Sequence, residues 1–268
     1  SLAEMTLGGE LDLVKRALAY YRPPRGLDIT IHSEAPHGSG LGASSALLMA
    51  LSCALVRLFD LGISRERIID LGANIEAQVI GIPTGKQDYF PPIYGGVCSI
   101  WFDVDGWRIE SLSQGNDLID ALNQRLIVSY TDIPHSSAIT NWAMLKRYIE
   151  KEGDSVARMR EIKAIALAMR DCLWRADLDE FQRLVAAEWA LRKGLAAGVT
   201  TPKIDAIMGA ALAAGARANK ICGAGGGGCM ITVAEPDRVA EVRRALTAAG
   251  AQVMDAPIVP DGVELTIT

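Results

Sequence analysis

A glycine-rich segment from Pro36 to Leu47, PHGSGLGASSAL, constrains the fold of this chain more than any other stretch. Gly38, Gly40 and Gly42 alternate with other residues in it. Glycine adopts positive φ readily and, because it lacks a Cβ, lets another group approach the backbone closely. The segment therefore predicts a tight turn against which a ligand or a second backbone can lie.

The residues on either side of this turn give it a structural context. Leu27 to Ser33 alternates apolar and polar residues, which predicts a strand, and the apolar run from Ala46 to Leu61 predicts a buried helix. A glycine turn at a helix N-terminus presents N–H groups and the positive end of the helix dipole, and this arrangement binds phosphate. The plainer alternative is a turn in which Ser44 or Ser45 only caps the helix.

Composition narrows the class of protein. A chain of 268 residues with 50% hydrophobic residues can form one large domain or two ordinary ones. The net charge of −5 argues against a general nucleic-acid binder. Because no apolar run reaches membrane-spanning length and the five cysteines are odd in number and widely spaced, we expect a cytoplasmic protein with reduced thiols and no membrane partner.

The remaining pattern alternates short strands with long helices. Two strands are expected around an Asp105-Gly106 turn, and Ser64 is expected to cap a helix from Arg65 to Val79. Further helices are expected at roughly 137–150, 156–175, 179–194, 202–214 and 236–249, with strands at 125–130 and 229–234. The pattern indicates an α+β protein of two domains.

Two other glycine motifs compete with the first. The segment from Gly223 to Gly228 satisfies G-x-G-x-x-G, but we expect a helix before it and a strand after it, the reverse of a dinucleotide-binding turn. The segment from Gly81 to Gln87 has one residue too few between its glycines for a P-loop, and Gln87 stands where Ser or Thr would hold magnesium. Neither reading is favoured.

Two carboxylates support the phosphate reading. Glu76 lies in an otherwise apolar stretch, where a carboxylate is rarely buried without a partner. Asp88 follows Lys86 in a loop, and a carboxylate near an ammonium stays ionised and can accept a proton from a hydroxyl. Taken singly, they could be a surface helix residue and an ordinary loop side chain. Together they suit a metal-nucleotide site, because magnesium prefers oxygen ligands.

Together, these motifs resemble those of the GHMP kinases, the family of galactokinase, homoserine kinase, mevalonate kinase and phosphomevalonate kinase. The family's P-x-x-x-G-L-G-[ST]-S motif is matched by Pro36, Gly40, Leu41, Gly42, Ala43 and Ser44. Its glutamate and following G-x-x-D segment are matched by Glu76 and by Gly85 to Asp88, and its C-terminal glycine motif by Lys220 to Met230. Ala43 departs from the usual Ser or Thr.

The resemblance implies a GHMP kinase fold. Residues 1–122 would form a ribosomal protein S5 domain 2-like, ATP-binding N-terminal domain without its first strands, since nothing before Pro36 matches the family's N-terminal strand motif. Residues 123–268 would form a ferredoxin-like C-terminal domain.

The resemblance also implies site residues. Magnesium would be held by Ser44 and Glu76, and Asp88 would orient or deprotonate the substrate hydroxyl. ATP would be bound by Pro36, Gly38, Ser39, Gly40, Leu41, Gly42, Ala43, Ser44 and Ser45. The substrate would contact Lys86, Gln87, Asp88, Gly225, Gly226 and Gly227.

Within the family, the GKQD and YGG segments and Thr201-Pro202 look most like bacterial D-glycero-D-manno-heptose 7-phosphate kinases and fucokinase-like sugar 1-kinases. The expected reaction is therefore ATP- and Mg²⁺-dependent phosphorylation of the anomeric hydroxyl of a sugar or sugar phosphate. A kinase of mevalonate or homoserine type and a non-catalytic nucleotide- or sugar-binding protein stay open as alternatives, and so does a homodimer.

Overall fold

The computed structural model describes residues 4–36, 38–82, 85–115, 117–134 and 137–267. It divides the chain into two compact units. Unit 1 comprises Ser1–Ala35, Gly42–Gly96 and Val259–Thr268, and unit 2 comprises Pro36–Leu41 and Val97–Ile258. The predicted domain boundary between residues 122 and 123 stays a prediction.

Unit 1 is built from helices in its described residues. Its elements are α1 (Asp12–Tyr21), α2 (Ala43–Leu58), α3 (Arg65–Ile80) and α4 (Pro91–Tyr94), with a 3-10 turn at Gln87–Tyr89. α3 begins as predicted, because the Ser64 side chain accepts a hydrogen bond from the Arg67 N–H. Leu48 and Met49 of α2 and Ile69 of α3 are fully buried, which accounts for the predicted apolar helices.

The predicted strand from Leu27 to Ser33 is wrong. These residues have no regular structure, and Ile29 and Ile31 are exposed. The alternating pattern describes a segment able to form a strand, but a strand also requires a neighbour to take up its backbone hydrogen bonds. The backbone hydrogen bonds of the described residues give this segment none.

Unit 2 contains a hairpin and a larger sheet. β1 (Cys98–Asp103) pairs antiparallel with β2 (Gly106–Ser111) around the predicted Asp105-Gly106 turn. The larger sheet has the order β4-β5-β3-β6 and is antiparallel throughout. Its strands are β3 (Leu126–Tyr130), β4 (Ala216–Ile221), β5 (Cys229–Ala234) and β6 (Gln252–Met254).

Helices pack on both faces of this sheet. Ile127, Ile221 and Met230 share one core with residues of α9 and α10, while Ala218 and Val233 pack on Val185 of α8. The helices of unit 2 are α5 (Leu118–Asn123), α6 (Ser137–Ile149), α7 (Ser155–Trp174), α8 (Leu178–Arg192), α9 (Pro202–Ala213) and α10 (Val239–Ala248). The mixture of helices with antiparallel sheet confirms the α+β class.

The second glycine cluster, Gly223–Gly228, connects β4 to β5. The expectation of a helix directly before it is wrong, because β4 separates α9 from the cluster. The cluster therefore joins two antiparallel strands, and a dinucleotide-binding turn, which opens a helix, does not fit it. None of the helices in the described residues combines the length and hydropathy that crossing a membrane requires.

Candidate active site

The N-terminus of α2 carries the first group of predicted site residues. The helix begins at Ala43, and Gly42 precedes it in a left-handed conformation with φ 72° and ψ 29°. No described side chain caps this turn, so its first N–H groups have no intrahelical partner. Such a turn, at the positive end of the helix dipole, favours an anion.

The Glu76 side chain, on α3, lies beside this turn and is buried. Its Oε1 accepts a hydrogen bond from the Ser44 Oγ at 2.5 Å. Its Oε2 accepts one from the Ser45 Oγ at 3.0 Å and one from the Tyr89 hydroxyl. A buried carboxylate is costly unless it is hydrogen-bonded, and these three donors offset that cost.

The two oxygens of this carboxylate have different surroundings. Ser45 and Tyr89, which hold Oε2, are buried, whereas Ser44, which holds Oε1, is exposed. The oxygens of Ser44 and Glu76 are hard ligands of the kind magnesium binds. The described residues contain no group of three or more His, Cys, Asp or Glu suited to a metal. A magnesium site that takes one carboxylate, with nucleotide phosphates and water, does not need such a group. The residues present therefore fit the ion.

The Asp88 side chain approaches the same turn from the 3-10 segment. A Cβ placed on Gly42 would lie 2.9 Å from the Asp88 Cβ, so only glycine leaves room for this aspartate. Burial and then the nearby Glu76 carboxylate raise the pKa of Asp88, against a smaller lowering by a hydrogen bond from Gln87. We call Ser44, Ser45, Glu76, Asp88 and Tyr89 the carboxylate cluster.

Lys86, a predicted substrate residue, contacts a different carboxylate. Its Nζ lies 3.0 Å from Oδ1 of Asp70 on α3, and both side chains are partly exposed. Gln87 is exposed and bonds Asp88. The ammonium expected beside Asp88 is therefore paired with Asp70.

In unit 2 the first glycine segment packs on the base of the second. The Cys229 N–H donates to the Ser39 carbonyl at 2.6 Å. A Cβ on Gly228 would lie 2.5 Å from that same oxygen, and a Cβ on Gly40 would lie 3.1 Å from the Cys222 carbonyl. These backbones approach so closely that the motif glycines have a packing role as well as the predicted binding role.

The predicted substrate residues Gly225, Gly226 and Gly227 form the middle of the second cluster. The Gly226 N–H donates to the Val199 carbonyl at 2.7 Å. A Cβ on Gly225 would lie 2.7 Å from that carbonyl oxygen. The loop is thus fixed against the segment that precedes α9.

Sequence reasoning missed two residues that hold these loops. Tyr89, the third donor to Glu76, directly follows Asp88, so the GKQDY run contained a signal for it. Thr131 is fully buried after β3, and its Oγ1 donates to the Gly228 carbonyl at 2.8 Å. Nothing in the local sequence around Thr131 indicates a partner almost a hundred residues away.

The predicted residues are divided between the two units. Unit 1 contains Gly42, Ala43, Ser44, Ser45, Glu76, Lys86, Gln87 and Asp88. Unit 2 contains Pro36, Gly38, Ser39, Gly40, Leu41, Gly225, Gly226 and Gly227. The structure brings together the carboxylate cluster within unit 1 and the two glycine segments within unit 2.

Comparison with known proteins identifies the family. Residues 12–96 match the GHMP kinases N terminal domain, and residues 162–252 match the GHMP kinases C terminal domain. Both matched regions contain predicted site residues, namely the carboxylate cluster in the first and the second glycine cluster in the second.

Individual relatives agree with the family match. A D-glycero-alpha-D-manno-heptose 7-phosphate kinase from Campylobacter jejuni is 26% identical over 263 residues, which cover 96% of this chain and 77% of the relative. A mevalonate kinase from Thermococcus gammatolerans is 32% identical over 254 residues, which cover 90% of this chain and 69% of the relative.

A solved structure supports the same assignment. The crystal structure of a D-glycero-D-manno-heptose 1-phosphate kinase from Bacteroides thetaiotaomicron superposes with a TM-score of 0.72 at 25% identity, covering 97% of this chain and 76% of that one. With the family models and the motifs that carry the carboxylate cluster, these likenesses show that the chain belongs to the GHMP kinase family, whose members transfer a phosphoryl group to a hydroxyl.

Proposed function

We propose that this kinase uses ATP and Mg²⁺ to phosphorylate the anomeric hydroxyl of a sugar or sugar phosphate, with D-glycero-D-manno-heptose 7-phosphate as the first candidate. The observation that carries the proposal is the carboxylate cluster. It combines a hydroxyl-bonded carboxylate, Glu76, with a second carboxylate, Asp88, against an uncapped helix N-terminus. A protein that only bound a nucleotide or sugar would not need both carboxylates.

The phosphates of ATP would lie on backbone amides between Gly38 and Ser45. The first turn of α2 supplies N–H groups without intrahelical partners and the positive end of the helix dipole. Ala43 offers no hydroxyl at the position where the family usually has one, and both following serines donate to Glu76. Phosphate binding on this chain therefore relies on main-chain donors.

Ser44 and Glu76 would hold magnesium, which when bound neutralises charge on the transferring phosphates. Ser45 and Tyr89 orient the Glu76 carboxylate through Oε2, so that Oε1 lies on the side of the exposed Ser44. This positions oxygen ligands before any ion binds, and positioning with charge neutralisation supplies most of the catalysis in phosphoryl transfer.

Asp88 would orient the attacking hydroxyl and accept its proton. Its half-buried side chain lies against Gly42. Asp88 is therefore next to the first turn of α2, where we place the phosphates of ATP. Lys86, Gln87 and the Gly225–Gly227 segment would contact the substrate. We place this activity in the cytoplasm, in line with the reduced thiols expected from the cysteine spacing.

Two relatives favour two substrates. The heptose 7-phosphate kinase covers 96% of this chain at 26% identity, and the mevalonate kinase covers 90% at 32% identity. We rank the sugar first because the GKQD and YGG segments and Thr201-Pro202 resemble the sugar 1-kinases. Mevalonate is the second candidate, favoured by its relative's higher identity.

A substrate panel tests the proposal. ATP consumption is measured with hexoses, fucose, heptose 7-phosphate, homoserine and mevalonate, for the wild type and for Asp88→Asn. We expect turnover of a sugar with a free anomeric hydroxyl and a loss of about 10²- to 10⁴-fold in Asp88→Asn. Asp28→Asn, at an exposed position of the same unit, is the matched control. Turnover of mevalonate alone would contradict the sugar substrate and favour a mevalonate kinase. Nucleotide binding without turnover of any compound would favour a non-catalytic binding protein.

A further inference from the structure

Two cysteines face each other at the base of the second glycine cluster. β4 ends at Ile221, which is paired with Met230 at the start of β5. One step further along this register, Cys222 lies opposite Cys229, and the Cys222 N–H donates to the Cys229 carbonyl at 2.8 Å. The Cys229 N–H donates to Ser39 rather than back to Cys222. Directly opposed residues of antiparallel strands place their side chains on the same face, with Cα atoms about 4.5–5.5 Å apart. That separation lies within the range that a disulfide spans.

We propose that Cys222 and Cys229 form an oxidative modification site, a reversible disulfide that closes the base of the Gly223–Gly228 loop under a peroxide oxidant. The site itself stands on the strand register. Its effect on catalysis rests on the proposed function, which assigns the two glycine segments to nucleotide and substrate.

The two thiols differ in access and reactivity. Cys222 is half-buried, whereas Cys229 is fully buried, with its Sγ 3.7 Å from the Met254 Sδ. Burial and then the neighbouring Cys222 raise the pKa of Cys229 to about 12, which also indicates that the two sulfurs interact. The Lys220 ammonium, two residues from Cys222 on the same strand, interacts electrostatically with Cys222. Cys222 is therefore the thiol that an oxidant reaches first.

The chemistry balances with hydrogen peroxide as the oxidant. The Cys222 thiolate attacks one peroxide oxygen, the O–O bond breaks, and sulfenic acid and hydroxide form. The Cys229 sulfur then attacks the Cys222 sulfur, its proton and the sulfenic hydroxyl leave as water, and the S–S bond forms. Two thiols lose two electrons in all, and one peroxide is reduced to two waters.

A disulfide must draw the backbone around this pair inward, because it holds its Cβ atoms about 3.5–4.5 Å apart, whereas opposed residues have Cβ atoms about 4.5–5.5 Å apart. The Cys229 N–H is bonded to the Ser39 carbonyl, and Gly228 and Gly40 pack without room for a Cβ against Ser39 and Cys222. Movement of either cysteine backbone therefore displaces the Ser39–Gly40 segment that we assign to ATP. A displacement of about 1 Å in a positioning element can cost a hundredfold in rate, so we expect the disulfide to lower activity by about tenfold or more.

Peptide mapping of the oxidised full chain tests the site directly. Trypsin cleaves after Lys220 and Arg238 and nowhere between, so both cysteines fall in the single peptide 221–238. After treatment with hydrogen peroxide and alkylation, we expect this peptide to be lighter than the reduced form by two hydrogens and to carry no alkyl group. Prior reduction with dithiothreitol should restore two alkylation sites.

Matched variants separate this pair from other thiols. Cys222→Ser should abolish the unalkylated peptide, and Cys98→Ser, at another partly buried cysteine, should leave it unchanged. Alkylation of both cysteines after peroxide, or their recovery as sulfinic or sulfonic acids, would overturn the modification site.

Activity measured on the same samples tests the consequence. The ratio of turnover with and without peroxide should fall about tenfold in the wild type, recover with dithiothreitol, and stay near one in Cys222→Ser. A disulfide that forms without any change in turnover would overturn the regulatory consequence. A disulfide that forms in a protein without kinase turnover would uphold the site and count against the proposed function alone.

Discussion

Gly42 and Gly81 are two cap glycines of unit 1 with the same φ of 72° and different surroundings. A Cβ on Gly42 would lie 2.9 Å from the Asp88 Cβ, whereas a Cβ on Gly81 would meet nothing within 4 Å. Gly81→Ala should therefore cost only the backbone term, about 1 kcal/mol of unfolding free energy, and keep turnover. Gly42→Ala should cost at least as much and also lower kcat, because Asp88 must move.

Urea unfolding and steady-state turnover of both variants check this prediction. If both variants are folded and have equal kcat, the result would contradict the role of Asp88 at the reacting hydroxyl.

Tyr89 allows a second test at the scale of one atom. Tyr89→Phe removes one of the three hydroxyl donors to the buried Glu76 and should lower the unfolding free energy by about 1–3 kcal/mol. Because Glu76 is then less well oriented, the magnesium concentration for half-maximal turnover should rise. A magnesium titration measures this, with Tyr20→Phe, at an exposed tyrosine of the same unit, as the control. An unchanged titration with reduced stability would leave Tyr89 a purely structural role.

Residue by residue, the sequence predicted the types of group at the site better than their partners. The sequence predicts that Glu76 needs a partner, because it interrupts an apolar helix, and that Ser44 and Ser45 lie at the helix N-terminus. The bonds between them link residues more than thirty positions apart, and such tertiary pairings leave no local pattern. Lys86 shows the same limit, since its partner is Asp70 on α3.

Among the elements, α8 is joined to β4 by an ion pair whose carboxylate, Glu188, is buried. The Lys220 Nζ lies 2.5 Å from the Glu188 Oε2, and Arg192 binds the other oxygen. Burial alone would raise the pKa of Glu188, but Lys220 and Arg192 outweigh burial and hold it below its usual range. A depressed carboxyl pKa contributes stability above the unfolded value of about 4.5, and that contribution is lost as pH falls through the lower folded pKa.

Glu188→Gln should therefore lower the unfolding free energy by about 1–3 kcal/mol at pH 7, because two half-buried cations lose the carboxylate between them. The difference from wild type should shrink as the pH falls below about 4.5. Glu188→Gln with Lys220→Met should recover part of the loss, since it removes one of those cations. Glu161→Gln, at an exposed position of α7, is the control in urea titrations at each pH. If the difference in unfolding free energy between Glu188→Gln and wild type does not change with pH, the loss of stability comes from packing and not from the charge of Glu188.

Helices and strands are predictable from this sequence where hydrophobic periodicity matches burial. They are not predictable where the presence of a partner strand decides the outcome. The apolar runs of α2 and α3 and the Asp105-Gly106 hairpin carry their own local signals. The segment from Leu27 to Ser33 has the alternation of a strand but no strand partner among the described residues. β4, with a Lys and an Asn inside ARANKI, lacks alternation because the half-buried Lys220 and the buried Asn219 each bind a specific partner.

At the scale of the whole molecule, ligand binding should be measurable as stability of the full chain. A ligand that binds the folded state at about a hundred times its dissociation constant raises the unfolding free energy by about 2.7 kcal/mol. If Ser44 and Glu76 hold magnesium, ATP with Mg²⁺ should raise the melting temperature more than ATP with EDTA. In Glu76→Gln this magnesium-dependent increment should disappear while an ATP increment from the main-chain donors remains. Glu66→Gln, in the exposed first turn of the same helix, should keep both increments, and loss of the increment in that control as well would place the magnesium effect outside the carboxylate cluster.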